Sequence, residues 1–202
     1  MVGIIDYGVG NLFSLKSSFK MIGQEAVVTG DAEVLRNCDR IILPGVGAFE
    51  DAAKKLRASG LDKVLIEEAE KGKPVMGICL GMQLLFDKSY EYGEHEGLGL
   101  IKGEIVPFKG VIDPELKIPH IGWNALHFRK EHPLFKYVSE GECVYFVHSF
   151  YGTGCDEDTI CTAEYDIDVT AAVARENIMG CQFHPEKSGN TGLNILKGFC
   201  EI

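Results

Sequence analysis

The segment Pro74–Phe86, PVMGICLGMQLLF, constrains the chain most: an apolar strand runs into Gly-x-Cys-x-Gly, and a helical run follows at once. Strand and helix can meet over so few residues only through a sharp turn. Glycines two before and two after Cys79 permit that turn and project the side chain between them above the sheet. The turn also sets Cys79 at a helix N-terminus, where free amides and the helix dipole favour a nucleophilic sulfur. A small cysteine packed beneath a helix would carry the same pattern. The strand-turn-helix setting is what favours the nucleophile.

Around this segment the first half of the chain alternates between two periods. Met1–Ile5, Ala26–Val28, Arg40–Leu43 and Pro74–Ile78 are short apolar runs that suit buried strands. Between them Leu12, Leu15, Phe19 and Ile22 recur at helical spacing, with Gly23 as a C-terminal cap. Phe49–Ser59 and Leu61–Lys71 read as two further helices, the second ended by Gly72. Strands and helices in this rhythm predict an α/β fold with a mostly parallel central sheet flanked by helices. The second half changes character. Ile101–Phe108, Ala125–Phe128, Cys143–Phe150, Thr159–Tyr165, Thr170–Ala174 and Ile178–Phe183 read as strands, Ser89–Gly99 as a polar surface loop, and Thr191–Phe199 as a closing helix. The simplest organisation is one domain over residues 1–202 with an added antiparallel portion.

The formal net charge of -10 argues against a partner with a phosphate backbone, so no nucleic acid is expected. Seven cysteines without a Cys-x-x-Cys pair suggest reduced thiols in a cytoplasmic compartment. The first residues carry no basic, apolar leader, and no stretch is apolar enough for a bilayer, so no membrane role is expected.

A sulfur nucleophile needs an imidazole to manage protons, and the imidazole needs a group that fixes its tautomer. Of six histidines, His184 stands out in Phe183-His184-Pro185-Glu186 at the end of a strand. Proline biases His184 towards an extended backbone, and residues two apart in an extended segment share a face, so Glu186 can lie beside His184. In open α/β sheets, sites form beyond the carboxyl ends of strands, where both segments stand. His127 and His132 have no metal-ligand spacing, so solvated or structural roles are expected and no metal. After Arg40–Leu43 comes Pro44-Gly45-Val46-Gly47-Ala48-Phe49, a loop whose amides could turn towards an oxyanion, with the Leu80 N–H as partner donor. A phosphate loop would end in Lys-Ser/Thr, which is absent.

The order Pro-Gly loop, Gly-x-Cys-x-Gly-x-Gln and His-Pro-Glu resembles the triad-type glutamine amidotransferases. PGVGAF (44–49), PHIGWN (119–124), YFVHSF (145–150), FHPEKS (183–188) and Gly8-Val-Gly-Asn11 narrow the resemblance to glutaminase subunits of imidazole glycerol phosphate synthase. It spans essentially the whole chain. It implies that Cys79, His184 and Glu186 form the catalytic triad and that Val46 and Leu80 supply oxyanion amides, the Val46 peptide after reorientation. It implies that Gly45, Gly47, Gln83, Ser149 and Phe150 hold glutamine. Many relatives have tyrosine at position 150, a change of little weight if only the main chain is used.

The resemblance further implies a heterodimer with a cyclase subunit, a (β/α)₈ barrel. Ammonia would pass to it for the conversion of PRFAR to imidazole glycerol phosphate and AICAR in histidine biosynthesis. Asn11, Trp123, Asn124, Tyr145 and Lys187 would lie at that contact or at the ammonia gate, and no cofactor is implied. From the residues alone, the favoured reading of Trp123, the only tryptophan, is a core residue. The same triad would serve another amidotransferase or a γ-glutamyl hydrolase. A non-catalytic module of this fold would be expected to lose the nucleophile or the base, whereas all three catalytic positions are present.

Overall fold

The computed structural model describes Met1–Ile202. The first half alternates as β1 (Val2–Ile5), α1 (Leu12–Met21), β2 (Ala26–Thr29), α2 (Ala32–Arg36), β3 (Arg40–Leu43), α3 (Phe49–Ala58), α4 (Leu61–Glu70), β4 (Val75–Ile78) and α5 (Leu80–Leu85). Strands covered on both faces need continuous apolar runs, and VGII, RIIL and VMGI supply them. Gly23 and Gly72 follow α1 and α4 with φ of 74° and 88°, the left-handed conformation that ends a helix at no steric cost. The short α2 escapes a reading based on apolar period because it has barely one turn. Its start is a side-chain cap, Asp31 Oδ1 accepting from the Glu33 and Val34 amides.

The second half supplies β5 (Phe86–Ser89), β6 (His95–Glu96), β7 (Ile101–Pro107), β8 (His120–Ala125), β9 (His127–Phe128), β10 (Cys143–His148), β11 (Phe150–Thr153), β12 (Thr159–Tyr165), β13 (Ile167–Arg175), β14 (Ile178–Cys181) and α6 (Gly189–Cys200). The central sheet has eight strands in the order β2-β1-β3-β4-β14-β13-β12-β9. Neighbours are parallel from β2 to β14 and antiparallel from β14 to β9. A four-stranded sheet, β11-β7-β5-β6, and a two-stranded ribbon, β10-β8, complete the fold.

Period-two alternation sorts the sheet's side chains into two cores. Ile4, Ile42, Met76 and Ile78 join α1 and α6 on one face through Leu15, Phe19, Ile195 and Phe199. Ile5, Ile41, Leu43 and Val75 join α3, α4 and α5 on the other. No helix is long and apolar enough to cross a membrane.

Three expectations from the sequence need correction. The strand placed at Ala125–Phe128 begins earlier: Pro119–Asn124 lies almost wholly in β8, which is a strand because β10 pairs with it from His120 to Ala125. The run Cys143–Phe150 breaks at Ser149 into two strands that pair with different partners, β8 and β7. Ser89–Gly99 is not a free loop. Lys88 and Ser89 of β5 pair with Glu96 and His95 of β6, and the turn between them reaches the candidate site.

The ends of β3 and β4 and the start of α5 touch backbone to backbone. A Cβ added to Gly81 would stand 1.8 Å from the Leu43 carbonyl oxygen, and one on Gly77 2.6 Å from the Gly81 carbonyl. One on Gly45 would stand 2.7 Å from the Gly81 nitrogen. These glycines are therefore required by contact, whereas Gly23 has open space around it. Gly81→Ala should lower the unfolding free energy by about 3 kcal/mol in urea denaturation. Gly23→Ala should lower it by only about 1 kcal/mol, the cost of a left-handed alanine. Equal losses would show that close packing does not dictate the glycine at 81.

Candidate active site

Parallel pairing brings the two key segments together. β14 runs beside β4 with Ile178 opposite Val75 and Cys181 opposite Ile78, and the Cys79 N–H extends the ladder to the Cys181 carbonyl at 2.8 Å. Beyond that rung β4 turns sharply. Cys79 has φ 54° and ψ −113°, a conformation that costs a non-glycine residue about 1–3 kcal/mol. The surroundings hold it there. All six residues of α5 are buried, and Leu80, Met82, Leu84 and Leu85 each gain about 1.5–3 kcal/mol by burial, which outweighs the strain.

His184 is extended, as a residue before proline should be, with φ −100° and ψ 98°. Glu186 reaches it by a different route from the one expected. Pro185–Lys187 is a 3₁₀ turn, and that turn folds the carboxylate back so that Glu186 Oε1 lies 2.8 Å from His184 Nδ1. Both side chains are almost fully buried. With Nδ1 donating to Glu186, Nε2 is left for Cys79. Burial works against a charged His184, yet hydrogen bonds to Cys79 and Glu186 outweigh it and carry the imidazole up to about 9. Glu186 Oε2 has no partner, so the imidazole is the carboxylate's one strong contact.

Ser188, the last residue of FHPEKS and given no role by the sequence, stitches this turn to β10. Its hydroxyl donates to the His184 carbonyl at 2.6 Å and accepts from the Tyr145 N–H at 2.9 Å, while the His184 N–H donates to the Tyr145 carbonyl. Tyr7 plays a similar part for the first loop. Its buried hydroxyl donates to the Pro44 carbonyl at 2.7 Å, and burial holds its pKa above the ordinary tyrosine value, so it stays a donor.

Cys79 and His184 open on a cavity of about 320 Å³, also lined by Val46, Gly47, Leu80, Gln83, Ser149 and Phe150, while Glu186 stands buried behind the imidazole. Of the glutamine-binding candidates only Gly45 is away from it, buried against Leu80 and Gly81. Val46 is exposed and Gly47 has φ 91°. Gln83 donates from Nε2 to the Phe150 carbonyl at 3.2 Å and to Gln182 Oε1 at 3.0 Å. Both amide protons are committed, so its carbonyl oxygen is the atom it offers a ligand. Five lining residues were not among the site candidates: Glu91, Tyr92, Pro119, Val147 and His148, the last three lying inside the PHIGWN and YFVHSF segments. Glu91 Oε2 accepts from the Phe49 N–H at 2.6 Å at the start of α3, and burial raises its pKa against the effects of that bond and of His95. Helical or strand periodicity gives no signal for a side chain carried on a turn.

The five partner-side candidates divide. Trp123 sits opposite Tyr145 in the β8–β10 ribbon with ring centroids 6.2 Å apart, and Lys187 Nζ lies 5.8 Å from the Tyr145 ring centre. Lys187 also lines the cavity, and Trp123 is 58% exposed, which removes the core alternative for it. Asn124, next in the strand, is bonded elsewhere: its Nδ2 lies 2.7 Å from the Glu164 carbonyl and 3.4 Å from His120 Nε2. Asn11 precedes α1, which packs against the Pro185–Lys187 turn.

His120 and His148 form a buried pair, Nδ1 of the first 3.0 Å from Nε2 of the second. Burial pushes His120 down to about 4. It also lowers His148, to about 3, despite an opposing hydrogen bond to the Phe150 carbonyl. Both are neutral at physiological pH. His127 pairs with Glu140, and His132 caps the Pro133–Phe135 turn. No group of three His, Cys, Asp or Glu side chains is placed to hold a metal ion.

The sign of the His184 shift sets a pH dependence: the proton is held below about 9 and lost above it. By NMR titration, Glu186→Gln should bring the His184 pKa back towards the ordinary value of about 6.5. An unchanged titration would show that Glu186 does not hold the proton in place.

The family model for "Glutamine amidotransferase class-I" matches residues 3–201. An imidazole glycerol phosphate synthase subunit HisH from Caldanaerobacter subterraneus subsp. tengcongensis is 49% identical over 204 residues, covering 100% of this chain and 98% of the relative. The subunit of the same name from Sulfurimonas denitrificans is 50% identical over 201 residues, with 98% and 97% covered. Among solved structures, one described as a glutamine amidotransferase superposes with a TM-score of 0.78 at 19% identity, over 99% of this chain and 97% of that one. PurLQS from Thermotoga maritima superposes with a TM-score of 0.75 at 20% identity and the same coverage. The structural likenesses carry the fold alone, whereas the full-length matches near one-half identity carry the family: the chain belongs to the class-I glutamine amidotransferases and, within them, to the HisH subunits of imidazole glycerol phosphate synthase.

Proposed function

We propose that residues 1–202 act as one glutaminase unit that hydrolyses glutamine to glutamate and ammonia and delivers the ammonia to a cyclase subunit in histidine biosynthesis. The observation that carries this reading is the buried Cys79–His184–Glu186 constellation, which opens through Cys79 and His184 on a cavity of about 320 Å³.

Cys79 Sγ attacks the side-chain carboxamide carbon of glutamine, and the carbonyl electron pair moves to oxygen. The Leu80 amide, at the first position of α5, lacks an intrahelical partner and receives the oxyanion. The Val46 amide joins it once that peptide is turned inwards. His184, held protonated, delivers its proton to the amide nitrogen. Ammonia leaves and a γ-glutamyl thioester remains. His184 then takes a proton from water, the hydroxide attacks the thioester, and glutamate departs as the sulfur is restored. Glu186 keeps the imidazole oriented throughout.

The cavity wall suits the other end of glutamine. The Gln83 carbonyl oxygen and the Glu91 carboxylate face the α-ammonium, and the backbone around Ser149 and Phe150 faces the α-carboxylate. Gly47 gives the ligand close approach to the loop, and Gly45 serves by packing that loop on the elbow.

Ammonia in water is largely ammonium at neutral pH, so a closed path to a docked partner makes chemical sense. Lys187 lines the cavity and lies over Tyr145, which in turn meets Trp123, and Trp123 with Ile121 leaves apolar surface exposed on that ribbon. This face suits the (β/α)₈-barrel cyclase that turns PRFAR into imidazole glycerol phosphate and AICAR. Asn11 borders the same side through α1, and Asn124 acts from beneath it. The seven free thiols support a reducing, cytoplasmic setting, with neither nucleic acid nor membrane as partner.

Glutamine hydrolysis by wild type and Cys79→Ala, each with and without the cyclase and its nucleotide, tests the reading. Strong stimulation of wild type and none of Cys79→Ala is expected. Cys79-dependent activity indifferent to the cyclase would assign the ammonia to another acceptor, and inactivity in every mixture would leave a non-catalytic module. In the stimulated complex, Glu91→Gln keeps an acceptor for the Phe49 amide but loses the charge. It should raise the KM for glutamine about ten-fold or more with little change in kcat. A fall in kcat at unchanged KM would remove Glu91 from substrate binding.

A further inference from the structure

The ladder that aligns β4 with β14 puts one more side chain beside the nucleophile. Gln182 follows Cys181, the residue paired with Ile78, and so stands across from Cys79. It is fully buried, and its Nε2 lies 3.8 Å from Cys79 Sγ. A carboxamide can flip and exchange its donor and acceptor ends, but here its neighbours leave one orientation. The Phe150 carbonyl can only accept. It therefore fixes the Gln83 amide with the NH₂ group towards it, at 3.2 Å. The second proton of that NH₂ needs an acceptor, which is Gln182 Oε1 at 3.0 Å. The Gln182 NH₂ group is then left facing the sulfur.

The Phe150 carbonyl is itself held. His148 Nδ1 donates to it at 2.8 Å, which leaves His148 Nε2 as the acceptor for His120 Nδ1 at 3.0 Å. His120 Nε2 then accepts from Asn124 Nδ2 at 3.4 Å. Neutral imidazoles, as burial requires, carry one donor and one acceptor each, so every link has a single direction. The chain Asn124, His120, His148, Phe150 carbonyl, Gln83, Gln182 ends on the sulfur.

We propose that Gln182 is a positioning residue for glutamine hydrolysis: its amide N–H, locked in orientation through Gln83, directs the Cys79 sulfur towards the cavity and stabilises negative charge on it. The proposal rests on Cys79 being the nucleophile. A donor aimed at sulfur favours the reactive form, whereas the flipped carboxamide would set its oxygen against the sulfur and its NH₂ against that of Gln83.

The test is the rate at which iodoacetamide alkylates Cys79, followed by peptide mass spectrometry in the complex with the cyclase, alongside glutaminase kcat and KM. Iodoacetamide needs no glutamine pocket, so this rate reports on the sulfur alone. Gln182→Met should slow both alkylation of Cys79 and kcat by about ten-fold or more, with the KM for glutamine changed far less. Gln83→Leu frees the Gln182 carboxamide to flip and should slow alkylation too. The double variant should be no slower than Gln182→Met, because both act through one contact. If Gln182→Met does not fold, Gln182→Asn withdraws the donor by one methylene, keeps a polar side chain and should show the same slowing. Alkylation at the wild-type rate in a folded Gln182 variant would overturn the proposal, as would fully additive effects. Glutaminase activity that survives Cys79→Ala would instead overturn the assignment of the nucleophile.

Discussion

The hydrogen bond from the Cys79 N–H to the Cys181 carbonyl, 2.8 Å long, is the rung on which the site depends. It is the last contact of an in-register parallel pair, and it sets which residues of two distant segments meet. A slip by one residue would turn every side chain of β14 to the other face. Beyond the rung the strands part. β4 bends into α5 through a strained cysteine, and β14 continues to His184 and the Pro185–Lys187 turn. The distance between nucleophile and base is therefore a property of the sheet core, and Met76, Ile78, Met179 and Cys181, all buried, keep it.

Strain and packing are balanced locally at the elbow. The positive φ of Cys79 is tolerated because Gly45, Gly77 and Gly81 let three backbone segments touch, and because α5 is buried at every position. The charge balance is equally local. His184 is buried and yet basic, since it is bonded to Cys79 and to a carboxylate with no second partner. The neighbouring His148 is buried without a carboxylate and is neutral. Two imidazoles, one charged and one neutral, thus reach the same cavity with opposite roles, set by their partners.

Much of this was legible in the sequence because it is local. The alternation of apolar strands and helices, the Gly-x-Cys-x-Gly turn and His-Pro-Glu are each readable within a dozen residues, and the structure places Cys79, His184 and Glu186 together. What escaped is non-local or lacks period. Gln182 is two residues from His184 and shows its meaning only through the register of β14 on β4. Glu91 and Tyr92 lie on a turn within a segment that reads as polar loop. Pro119–Asn124 reads as a motif rather than a strand, because its partners in β10, Val144 to His148, are distant in the sequence. His120 and His148 resembled uncommitted histidines until that pairing placed them side by side.

The central claim is that Cys79 alone among seven thiols is poised to attack a glutamine carboxamide. Labelling with an electrophilic glutamine analogue, in the presence of the cyclase and its nucleotide, addresses it most directly. Intact-mass and peptide analysis should find one adduct per chain, on Cys79, suppressed by excess glutamine. An adduct on another cysteine, or none while the complex hydrolyses glutamine, would contradict the account.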